Sequence, residues 1–153
     1  MDVPIFHWEE LMRHAKKAFQ ENAYQDALDL NTSALLFSKR HFEHLFDQDA
    51  DRAIAAVLVS YFNAIDNHIA LYNFIKARAC FDNALSFLIA ARSKKSLTDT
   101  QAEAILHGVS HLHNEWCRFL QANQHEISDL KLSTFQVSLE TLSSQCHQSI
   151  RLH

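Results

Sequence analysis

The chain has 153 residues, 48% of them hydrophobic, and a formal charge of −4. That is the length of one ordinary domain, able to bury about two-thirds of its unfolded surface, and its acidic balance supplies no basic field for nucleic acid. One Gly and one Pro, against average usage of roughly 7% and 5%, leave an all-β fold without its turn residues and a phosphate-cradling loop without its glycines.

What remains is an all-α reading, with six helices joined by short polar turns. Apolar residues at three-and-four spacing mark each of them. The first runs from about Ile5 to Glu21, with Pro4 in a first turn that tolerates it and a stripe of Trp8, Leu11, Ala15, Ala18 and Phe19. The second, from about Tyr24 to Phe42, carries Ala27, Leu28, Leu30, Ala34, Leu35 and Phe37. "FDQDAD" reads as a turn into the third helix, about Asp49 to Asn73, whose Asp49 and Asp51 suit a positive N-terminal dipole.

The fourth helix spans about Phe74 to Arg92. Thr98 with Gln101, or Thr100 with Glu103, then has capping-box spacing for a fifth, which continues to about Asn123. The sixth carries Leu132, Phe135, Leu139, Leu142, Cys146 and Ile150. Short connections pack sequential helices antiparallel. The expectation is a single domain over residues 1–153, built from hairpins at roughly 5–43, 49–92 and 98–150.

Two stretches share a skeleton. "AYQDALDLNTSALLF" sets Tyr24, Ala27, Ala34 and Leu35, and "NFIKARACFDNALSFL" sets Phe74, Ala77, Ala84 and Leu85, at the same spacing. An aromatic followed by two small residues at these intervals lets neighbouring helices approach closely, and in this the chain resembles the tetratricopeptide-repeat superfamily and the small bacterial proteins of that kind. The resemblance implies a right-handed stack of hairpins; a closed helical bundle is the alternative. Two departures stand out. Asn31 fills a position where Phe81 is large and apolar, and the copies lie 50 residues apart where the superfamily repeats at about 34.

Candidate chemistry is sparse. Eleven histidines include His107 and His111 on one helix face, with His113 and Cys117 as a second pair. His107, His111 and His113 are the best candidate ligands of an alternative reading, a metal- or small-molecule-binding bundle, yet a zinc site needs three or four converging donors. Cys80, Cys117 and Cys146 read as reduced, mostly buried small hydrophobes. No strained elbow or oxyanion loop accompanies them, so the expectation is a non-enzyme without a cofactor. The sequence offers neither an apolar run of about 18 residues nor a basic leader ahead of an apolar stretch, so the expected location is the cytoplasm, away from membranes.

A binding surface is then the leading functional reading. The resemblance implies a concave groove lined by the first helix of each hairpin, hence by Met12, Arg13, Lys16 and Phe19 and by Phe62, Asn63, Asp66 and Ile69. Arg13, Lys16 and Asn63 suit an acidic peptide or a terminal carboxylate, although Met12 and Asp66 depart from the superfamily's carboxylate-binding set. The expected role is a protein-interaction module that receives a peptide or helix. A secretion chaperone or regulatory partner is a further alternative. Trp116, Phe119 and Phe135 lie on apolar stripes near the end of the stack, which a C-terminal cap or a homodimer would cover.

Overall fold

The computed structural model describes residues 3–127 and 132–151, and those residues form helices and short turns without a strand. Seven helices follow in order: α1 (Val3–Gln20), α2 (Tyr24–Arg40), α3 (Phe42–Gln48), α4 (Ala50–Ala70), α5 (Phe74–Arg92), α6 (Asp99–Ala122) and α7 (Leu132–Arg151). Six were expected. The extra one is α3, which begins where the expected second helix was to end and runs into the first three residues of the "FDQDAD" turn. Phe42 and Phe46 sit one helical turn apart, their rings stacked with centroids 4.8 Å apart, and both are buried. Burying two aromatics rewards helix where the Asp-rich composition suggested a turn.

Caps fix the boundaries. The Asp49 carboxylate accepts the Arg52 amide at 3.3 Å and starts α4. Of the two spacings that fit a capping box before α6, Thr98 with Gln101 forms it. The Gln101 amide donates to the Thr98 hydroxyl and the Thr98 amide to the Gln101 side chain, each at 3.1 Å.

Packing divides the chain into two compact units, Met1–Cys80 and Phe81–His153, with the boundary inside α5. In the first, α1 packs on α2, α2 on α4 and α3 on α4, while α1 also touches α4. Trp8 Nε1 donates to Ser60 Oγ at 2.8 Å, and Arg52 meets Glu9 at 3.4 Å. Ala27 and Ala34 are fully buried, as are Ala77 and Ala84 of α5. Without a side chain beyond Cβ, these positions let neighbouring backbones close up.

Among the described residues α4 is the one helix long and apolar enough to cross a membrane by length and composition, which corrects the expectation that no such run exists. In this fold its Val57, Leu58, Tyr61 and Ile65 belong to the core of the first unit.

The second unit centres on aromatic rings. α6 packs on α7. Phe81 lies with its centroid 5.1 Å from Trp116 and 5.0 Å from Phe119, and Trp116 lies 4.2 Å from Phe135. Trp116, Phe119 and Phe135 are buried here, so they furnish no apolar face for a homodimer. The expected stripe members Leu132 and Ile150 have side chains outside the described residues.

Candidate functional site

A cleft of about 460 Å³ opens between α1, α2 and α4 in the first unit. Its α1 wall carries Met12, Arg13, Lys16 and Phe19, with Ala15 and Gln20. Helical spacing puts these on one face, and Ala15, almost fully buried, keeps that face close to its neighbours. The α4 wall carries Asn63, Asp66 and Asn67, and α2 contributes Asn31.

Six of the eight residues expected in a groove therefore line one cavity: Met12, Arg13, Lys16, Phe19, Asn63 and Asp66. Phe62 and Ile69, both half-buried, are not part of its lining. Sequence reasoning missed Asn31 and Asn67. The available signal was Asn31 itself, a polar side chain in a slot that the second copy fills with Phe81.

Two features set the chemistry of the cleft. Arg13 and Lys16 are exposed, and among the described residues neither makes an ion pair or a side-chain hydrogen bond. The inner wall holds a buried polar pair, in which Asn31 Nδ2 donates to Asn67 Oδ1 at 2.7 Å. Asn31 is 3% exposed and Asn67 1%, yet Asn31 Oδ1 accepts no hydrogen bond among the described residues. A buried acceptor left in that state costs about 1–3 kcal/mol. The cleft thus joins cations at its rim to amide groups within and apolar contact from Met12 and Phe19. That arrangement can hold an anion and a polar chain.

The other candidate residues are dispersed. His107, His111 and His113 are all exposed on α6, and among the described residues no group of three or more His, Cys, Asp or Glu side chains is placed to hold a metal ion. His113 Nε2 instead lies 3.6 Å from Cys117 Sγ. Cys117 is exposed, which corrects the expectation of mostly buried thiols for that residue, whereas Cys146 is buried and Cys80 half-buried. Burial pushes the Cys80 thiol up to about 11. Burial also raises that of Cys146, partly offset by the charge of Arg92 and its hydrogen bond. Both therefore stay protonated and poorly nucleophilic near neutral pH.

The chain belongs to a family described as Protein of unknown function (DUF2753), whose profile matches residues 6–153. No curated protein and no solved structure matches it.

Proposed function

We propose that this chain is a non-enzymatic protein-interaction module of tetratricopeptide-like architecture, working in the cytoplasm, whose α1–α2–α4 cleft receives a peptide bearing a carboxylate. The observation that carries the reading is the placement of Arg13 and Lys16, without ion pairs among the described residues, on the rim of a cavity that also presents Asn31, Asn63 and Asn67. Cationic side chains of this kind form charge-assisted hydrogen bonds to a carboxylate, and carboxamides suit the peptide groups behind it. The architectural part rests on the two aromatic–Ala–Ala stretches and on a turn that recurs with the same backbone bonds 50 residues later.

The decisive experiment is an affinity capture from the native cell with wild type and an Arg13→Glu/Lys16→Glu variant of confirmed helicity and melting temperature. Loss of specific partners from the variant is expected. If both proteins retain the same partners, the cleft is not the binding site. The metal-binding alternative gains no specific support, since His107, His111 and His113 have no converging third donor among the described residues.

A further inference from the structure

The inner wall of the cleft holds an incomplete pairing of two carboxamides. Two asparagine side chains that face each other can exchange two N–H···O bonds. Asn31 and Asn67 make one, from Asn31 Nδ2 to Asn67 Oδ1. Asn31 Oδ1 accepts nothing and Asn67 Nδ2 donates nothing among the described residues. One acceptor and one donor are left over. This remainder is independent of how oxygen and nitrogen are assigned, because exchanging the ends of both amides again leaves one donor and one acceptor.

A ligand group that satisfies both must offer a donor and an acceptor; a hydroxyl does so through a single atom, a carboxamide through an N–H and a C=O side by side, the complement of two facing amide ends. A carboxylate or an ester offers acceptors alone, and an ammonium donors alone, whereas a carboxamide offers both. Helix packing does not itself demand polarity at this slot, since the corresponding position 50 residues later is Phe81, buried among aromatic rings. Building on the reading of the cleft as a peptide groove, we propose that it recognises an Asn or Gln side chain of its partner. The carboxamide seats against Asn31 and Asn67, and a neighbouring carboxylate of the same peptide meets Arg13 and Lys16. Asn31 Oδ1 is closed off in the free protein; the terminal torsion of Asn is broad and soft, so a partial turn that keeps the Nδ2 bond to Asn67 presents the oxygen to the incoming N–H. The ligand's methylenes lie against Met12 and Phe19.

The test uses the full chain, isotope-labelled and followed by NMR, with two minimal probes. Glutaramate carries a carboxylate and a carboxamide on a short methylene chain; monomethyl glutarate keeps the carboxylate and the carbonyl but has no N–H. Glutaramate is expected to shift the side-chain amide signals of Asn31 and Asn67 and to bind on the order of tenfold more tightly than the ester. An Asn31→Leu/Asn67→Leu variant removes both polar groups together. It is expected to remain folded by denaturant titration and to lose the preference for glutaramate. Equal binding of the two probes to wild type, or a preference that survives in the double variant, overturns the proposal. To separate sources, the capped dipeptide acetyl-Gln-Glu-methylamide, which keeps a side-chain carboxylate beside the carboxamide, is compared with free L-glutamine; tighter binding of the free amino acid overturns the peptide assignment. Failure here is distinguishable from failure of the groove itself. Probes that bind wild type equally but are lost from Arg13→Glu/Lys16→Glu reject only the carboxamide, whereas partners retained by that charge-reversed variant reject the groove.

Discussion

Asn22 and Tyr72, 50 residues apart, hold the same left-handed position after α1 and α4, with φ of 61° and 57°. Their surroundings match bond for bond. The Asn22 amide reaches the Phe19 carbonyl at 3.0 Å and the Ala23 amide that of Ala18 at 2.9 Å; the Tyr72 amide reaches Ile69 at 2.9 Å and Asn73 reaches His68 at 2.8 Å. This is the bonding of a Schellman helix end, a position usually given to Gly. The chain's single Gly, Gly108, lies inside α6 instead.

The two residues differ in what that backbone costs. Asn tolerates the left-handed region, whereas a Tyr there carries a penalty of roughly 1–2 kcal/mol. Tyr72 is 84% exposed and recovers little by packing. We predict that Tyr72→Gly stabilises the protein by about 0.5–1 kcal/mol, net of the added entropy of Gly in the unfolded chain. Asn22→Gly should change it by a few tenths at most. Urea unfolding checks this, and a lower midpoint for Tyr72→Gly at unchanged slope would contradict it.

The thiols should separate cleanly by site. Cys117 is exposed, while Cys80 and Cys146 are shielded and burial holds their protons on, that of Cys80 to about 11. At mildly alkaline pH a thiol reagent should modify Cys117 first, the half-buried Cys80 more slowly, and the buried Cys146 last. Peptide mapping of a time course decides, and comparable early labelling at all three sites would reject the prediction.

Within the second unit, the completely buried Trp116 donates through Nε1 to Gln136 Oε1 at 2.9 Å. Gln136→Leu strands that donor and should cost about 1–3 kcal/mol. Gln136 Nε2 also donates to Glu140 Oε1 at 2.9 Å, so the Glu variant is made as Gln136→Glu/Glu140→Gln, which keeps an acceptor for Trp116 without opposing two carboxylates and should cost much less. Phe135→Ala opens a cavity beside Trp116 and should cost about 3–5 kcal/mol. Denaturant titrations of the three variants test the order, and a Leu variant as stable as the Glu variant would show that the bond contributes nothing.

His68, at the end of α4, has its pKa held below its ordinary value of 6.5 by burial first and by the charge of Lys76 second. The native state therefore resists a proton that the unfolded chain accepts. Stability from this residue is fully present above 6.5 and declines as pH falls through the lowered native value, levelling off beneath it. His68→Gln should remove that share of the decline. Stability curves between about pH 7.5 and 5 that run parallel for wild type and variant would exclude the linkage.

The sequence alone determined the all-helical composition, because one Gly and one Pro leave almost nothing else to build. It also placed the principal helices and the α6 capping box, since periodicity and capping are local properties. Local signals failed at α3, where the stacked burial of Phe42 and Phe46 outweighed an Asp-rich turn signature, and at Cys117, whose exposure depends on how α6 is packed. The cleft was half legible. The tetratricopeptide-like resemblance implied a groove holding Arg13, Lys16 and Asn63, but the meeting of Asn31 with Asn67 joins residues 36 apart on two helices. Only the packing of α2 on α4 brings them together, and their value lies in the desolvation that this packing imposes.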